Sequence, residues 1–155
     1  MKMSKVEEVL ASKGLFLEEV PTPVAEYVPA KIVGKVLYTS GCDCRRNGKL
    51  LYAGKLGQDL TLEEGQAAAQ QVVVNLLSVL KKELGDLDRI KQVVKMLAFV
   101  NSTDDYVEQP YVINGASQLL VDVFGEKGRH ARSAIGTNTL PFDTPVEIEL
   151  IVELY

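Results

Sequence analysis

Few residues in this chain have side chains suited to chemistry. Its single histidine, His130, stands in "GRHARSAIG" at 128–136, close to Arg132. In extended backbone the side chains alternate, so His130, Arg132 and Ala134 would share one face and Ala131, Ser133 and Ile135 the other. An arginine among small and apolar neighbours needs a partner, because its charge cannot be shed. Its planar fork suits a carboxylate, of the protein or of a ligand. The protein candidates lie in "PVEIELIVEL" at 145–154, where Glu147, Glu149 and Glu153 share a face with Ile151. A salt bridge from Arg132 to this strand is the structural expectation. His130 has an ordinary pKa that suits a general base, although a lone histidine is more often packed or solvated.

Other chemistries are poorly supplied. Cys42 and Cys44, the only two cysteines, are too close in sequence for a common structural bridge, and one distant histidine makes a poor metal site. Reduced thiols and no metal are expected. The net charge of −4 gives no overall basic field, so nucleic acid is an unlikely partner. The local cluster Lys35, Arg45, Arg46 and Lys49 surrounds a hairpin and reads as solvated. At 155 residues, 46% hydrophobic and 25% charged, the chain reads as one soluble domain over 1–155, with a helical N-terminal extension over about 1–20. Glu7, Glu8 and Lys13 interrupt the first apolar positions, so no signal peptide is expected. Apolar runs such as "QVVVNLLSVL" are too short for a membrane span, and a cytoplasmic protein without membrane contact is expected.

The elements that would position these residues are readable. Ser4–Glu7 and Thr61–Glu64 have the form of capping boxes that open helices, and Gly14 and Gly85 are stops. The second helix carries Ala69, Val72, Val73, Leu76, Leu80 and Leu84 along one stripe. "PTPVAEYVPA" must be extended or irregular. Breaks at Gly34-Lys35 and Asn47-Gly48 predict two or three early antiparallel strands. "RIKQVVKMLAFV" predicts a strand with Val94, Met96, Ala98 and Val100 on one face and Val93, Leu97 and Phe99 on the other. Both faces are largely apolar, so it should be central or covered by a partner subunit. A helical period runs from Tyr111 to Phe124 through Ile113, Ala116, Leu119, Leu120 and Val123. "HARSAIG" and "PVEIELIVEL" close the chain as strands. This order predicts an α+β domain with two long helices on one face of the sheet.

Motifs along this order resemble a known family. "ARS", "LP" and "VEIEL" are similar to the C-terminal signature of the RidA/YjgF family, also called L-PSP endoribonuclease-like. "YTSG" at 38–41 and "EYVPA", with Tyr27 placed 14 residues before Gly41, resemble its N-terminal signature. The 15-residue spacing from Arg132 to Glu147 fits as well. The resemblance implies a chorismate-mutase-like fold with a mixed sheet, homotrimers with clefts between subunits, and cofactor-free hydrolysis of 2-imino acids to 2-keto acids and ammonia. It assigns Arg132 to the substrate carboxylate and Glu147 to the attacking water. Tyr27, Ser40 and Gly41 become substrate-binding residues, Gly41 through close backbone approach. Two departures point to a subgroup: Ala134 stands where the archetype has a cysteine, and "SGCDC" replaces "SGQ".

Three functions follow from the resemblance. The first is an enamine/imine deaminase acting on a small carboxylate. The second is a non-catalytic small-carboxylate binder or regulator that uses the same intersubunit cleft. A ribonuclease or translation inhibitor fits the acidic charge less well.

Overall fold

The structure, a computed structural model, describes residues 2–23 and 25–155. Met1 and Val24 lie outside the described residues, the latter within the stretch read as extended or irregular. Helix α1 (Lys5–Ser12) is followed by strands β1 (Ala30–Val33), β2 (Val36–Thr39), β3 (Arg45–Arg46) and β4 (Lys49–Leu50). Helix α2 (Leu62–Leu84), strand β5 (Ile90–Asn101), helix α3 (Gln109–Phe124), β6 (Ala131–Thr137) and β7 (Val146–Leu154) complete the order. Five strands form one mixed sheet in the order β1-β2-β7-β5-β6, with β5 and β6 parallel and joined through α3. Among the described residues no helix is long and apolar enough to cross a membrane.

The helix ends are made as the sequence predicts. Ser4 and Glu7 close one capping box and Thr61 and Glu64 the other, each satisfying otherwise orphaned amides. Gly85 caps α2 at φ +78°, a conformation that favours glycine. Helix α3 starts at Gln109, two residues earlier than its apolar period suggests, because Pro110 is well suited to a first turn. Burial on α2 extends beyond the predicted stripe to Val74, Leu77, Ser78 and Val79. The N-terminal segment crosses the helix there, and the Glu18 amide donates to Ser78 Oγ at 2.8 Å.

Two strand expectations are corrected. The Asn47-Gly48 hairpin forms, but β3 and β4 pair only with each other and stand outside the main sheet. In β5 a register shift between Val93 and Lys95 advances the phase of the pleat. Val93 therefore joins Met96, Ala98 and Val100 in the core, while Val94 turns outward.

The alternation of β7 survives intact: Val146, Ile148, Leu150, Val152 and Leu154 are all buried beneath the helices. Their neighbours Glu147, Glu149, Ile151 and Glu153 occupy the other face, with Leu97, Phe99 and the exposed Ile135 from the adjoining strands. One sheet face is thus covered by α2 and α3, and the other carries half-exposed apolar side chains.

The helix pair packs tightly at Gly115, where a Cβ would lie 2.3 Å from the Gln66 carbonyl oxygen. A helical glycine replaced by alanine ordinarily gains about 1 kcal/mol. Here the sign should reverse, because the obstructing atom is backbone and cannot swing aside. Gly115→Ala is expected to lose about 1–3 kcal/mol, read as a lower urea midpoint at unchanged m-value. A midpoint equal to or above the wild-type value would show that the helices separate freely.

Candidate functional site

Beyond the end of β2 the chain leaves regular pairing and builds one wall of a cavity of about 440 Å³. Thr39 Oγ1 accepts the Leu150 amide at 2.9 Å in place of a ladder carbonyl. Pairing with β7 resumes only at Cys42, which exchanges two backbone hydrogen bonds with Ile148. Ser40 and Gly41 sit in the interrupted stretch between them, and both line the cavity with Tyr27. The Ser40 amide donates to Pro29 O at 2.8 Å and its hydroxyl to Val28 O at 2.7 Å, so Ser40 fastens the segment that carries Tyr27. The opposite wall comes from Val20, Pro21 and Pro23 of the N-terminal segment and from Val79 of α2.

Glu147 lies against Gly41. A Cβ at position 41 would be 2.9 Å from Glu147 Oε2, so the bare glycine gives the carboxyl its room. Burial pushes the Glu147 pKa upward, and the negative charges of Asp43 and Glu149 add to the shift. Three of the five residues singled out in the sequence, Tyr27, Ser40 and Gly41, therefore line one cavity in a single chain, and a fourth, Glu147, lies against Gly41. Cys42 lines the same cavity, but burial, Asp43 and Glu147 push its thiol up to about 12. A thiol held protonated at neutral pH is a poor nucleophile. Cys44 is buried beside it and donates to Tyr52 O at 3.4 Å; both cysteines are free.

Arg132 is elsewhere. Residues paired across a sheet share a face, and Arg132, Met96 and Leu150 are aligned across β6, β5 and β7. Ile135, Phe99 and Glu147 form another such row on the opposite face. Arg132 consequently points to the helix side, and the expected salt bridge to β7 does not form. Its guanidinium instead donates to Ser117 Oγ at 2.9 Å, Asn114 Oδ1 at 3.0 Å and Pro110 O at 3.1 Å, all on α3.

His130 precedes β6 and joins this cluster. Its Nδ1 is 2.6 Å from Gly128 O, which can only accept, so Nδ1 carries the proton. Nε2 then accepts from the Ser117 hydroxyl at 2.9 Å, and Ser117 accepts from Arg132. Burial lowers the His130 pKa and the Arg132 charge lowers it further, against the hydrogen bond to Gly128, which favours the charged ring. Histidine here fixes the serine that holds the arginine.

Sequence reasoning missed Asn114 and Ser117, although a spacing of three on a predicted helix places them on one face. It also left Arg45 as solvated. In the structure Arg45 lines the cavity, donates from Nε to Asp43 Oδ2 at 3.1 Å and lies over the Phe142 ring at 5.0 Å from its centroid. Arg46 is likewise engaged, with Gln71 on α2.

A family model described as "YjgF/chorismate_mutase-like, putative endoribonuclease" matches residues 7–154. Protein TCP17 of Trypanosoma cruzi is 43% identical over 151 residues, 97% of this chain and 94% of that protein. A Lactococcus lactis protein named "Putative regulator AldR" is 26% identical over 136 residues, 88% of this chain and 93% of its own. The crystal structure of Atu1372 from Agrobacterium tumefaciens, a protein of unknown function, is 43% identical with a TM-score of 0.89, covering 96% of this chain and 91% of that one. A Shewanella oneidensis structure titled a "putative endoribonuclease" is 39% identical with a TM-score of 0.93, covering 96% and 99%. By motif, fold and a match spanning almost its whole length, this chain belongs to the RidA/YjgF family, with the YjgF/chorismate-mutase-like fold.

Proposed function

We propose that the protein is an enamine/imine deaminase that hydrolyses 2-imino acids to 2-keto acids and ammonia. The observation that carries this reading is Glu147, a half-buried carboxyl whose pKa is raised, lying against Gly41, which lines a cavity with Tyr27 and Ser40. A carboxyl shifted toward neutrality can take a proton and give it back within one turnover. As water bonds to the imine carbon, the Glu147 carboxylate accepts its proton. That proton passes to nitrogen to give a carbinolamine. Its hydroxyl proton then moves by way of Glu147 to the same nitrogen as the C–N bond breaks and the C=O bond forms, releasing ammonia and the keto acid.

The substrate carboxylate needs a guanidinium, and Arg132 lies on the far side of its own sheet from Glu147. The working site is therefore shared: Glu147, Tyr27, Ser40 and Gly41 of one subunit face Arg132 of a neighbour in a homotrimer. The uncovered sheet face, with Leu97, Phe99, Ile135 and Ile151, supplies an apolar surface suited to such an assembly. Ser117 and His130 hold the arginine in place. A second reading, a small-carboxylate binder or regulator without catalysis, draws support from the three hydrogen bonds that already occupy Arg132 and from the name of the Lactococcus lactis relative. An endoribonuclease has less support, because Glu18, Glu19 and Asp43 line the cavity against Arg45, the single cation among the described residues there, and would repel a phosphodiester.

Imines generated in place by an amino-acid oxidase should decay faster with the wild-type protein than in buffer. Glu147→Gln is expected to lower kcat by about 10²–10⁴, and Arg132→Ala to act mainly on KM. Wild-type decay equal to buffer, with keto-acid binding retained, would replace the deaminase with the binding reading.

The pH dependence has a definite sign. Glu147 acts as a base only when ionised, so the wild-type rate should climb through a pKa above the ordinary glutamate value. Because its folded pKa is raised, its ionisation costs stability as pH rises past the unfolded value. Glu147→Gln should therefore raise Tm at about pH 8, with the gain shrinking toward about pH 4. A larger gain at the acid end would contradict the assigned environment.

A further inference from the structure

Phe142 is a bulky side chain in a backbone conformation that bulky residues avoid. Its φ is +59° and ψ 15°, and Asp143 follows at φ +62°. Two consecutive non-glycine residues in the left-handed region store strain of about 1–3 kcal/mol each, which persists only where the surroundings over-determine it. The surroundings here do so. Asn101, fully buried, donates to Asp143 Oδ1 at 3.0 Å, and the Gly54 amide donates to Asp143 O at 2.9 Å. Lys55 Nζ in turn donates to Asn101 Oδ1 at 2.8 Å.

This polar knot does not serve to bury the ring. Phe142 remains 64% exposed and contributes nothing to the core; it lines the cavity, beside the Arg45 guanidinium. Arg45 is itself braced by Asp43 and by Gly48 O, and it is the only cation among the described residues that line the cavity. A guanidinium plane accepts aromatic faces on both sides, and one of them is already taken by Phe142.

Size points the same way. A volume of about 440 Å³ lies within the roughly 300–1,000 Å³ of sites that enclose drug-sized ligands. A three-carbon acid would leave most of it to water, against walls made by Val20, Pro21, Pro23 and Val79. From cavity, strained aromatic and braced cation we infer that the substrate carries an aromatic side chain, which packs against Phe142 and Arg45 while its reacting end lies at Gly41, the residue that Glu147 lies against. The ligand class is thus aromatic 2-imino acids and the matching 2-keto acids. Glu18, Glu19 and Asp43 disfavour a second carboxylate on that side chain. The imine part of this assignment rests on the deaminase reading; the aromatic part rests on the cavity alone.

Equilibrium binding of stable keto acids separates the two. By calorimetry, 3-phenyl-2-oxopropanoate should bind the wild-type protein at least about tenfold more tightly than pyruvate or 4-methyl-2-oxopentanoate, as expected for one aromatic contact. Phe142→Asn tolerates the left-handed backbone and so keeps the turn. It and Arg45→Gln should each bring the phenyl-to-pyruvate ratio toward one by weakening 3-phenyl-2-oxopropanoate more than pyruvate. Equal affinity for the three acids, or a ratio unmoved by both variants, overturns the aromatic assignment and leaves the deaminase reading standing. The expected preference without imine turnover sinks the deaminase reading and leaves the aromatic site.

Discussion

The pleat of β7 is the constraint on which the rest of this molecule depends. Five alternating apolar residues commit one face of the strand to the helices, and every neighbouring strand inherits that orientation through its register. A slip of one residue would exchange the core for the carboxylates, so the register admits no local compromise. Arg132 and Glu147 belong to different rows of the same sheet and look out in opposite directions. The cover of both helices, the outward carboxylates and the separation of Arg132 from Glu147 follow from this single alternation.

On each side of the sheet the polar groups are managed differently. Arg132 is charged and partly buried, and α3 satisfies it with one carbonyl, one amide oxygen and one hydroxyl rather than with an opposite charge. Neutral acceptors hold a guanidinium in position without cancelling its field. Glu147 receives the reverse treatment. Its neighbours Asp43 and Glu149 carry its own sign and burial removes water, so its proton is held more tightly than in an ordinary glutamate.

Local signals were legible in the sequence wherever one element determined the outcome. Both capping boxes, the glycine stops and the β7 alternation required no knowledge of tertiary structure, and the order of motifs carried the fold. What escaped depended on how elements meet. The bulge that brings Val93 into the core is set by pairing with β7, and no periodicity within β5 announces it. The side to which Arg132 points follows from the parallel register of β5 and β6, so a carboxylate two strands away looked available when it was not. Arg45 and Phe142 meet only because the buried Asn101 holds a distant turn, and neither residue stands out in its own stretch of sequence.

Gly41 has a consequence for how this site can vary. Its missing side chain is the space into which the Glu147 carboxyl extends, with Oε2 only 2.9 Å from where a Cβ would stand. Positions 41 and 147 are therefore coupled, although Gly41 lies beyond the end of β2 and Glu147 on β7. A methyl group at 41 displaces the carboxyl, whereas a shorter residue at 147 makes that same methyl harmless. The two changes are non-additive by construction. Loss of the carboxylate therefore releases position 41 to carry a side chain, while its retention favours glycine there.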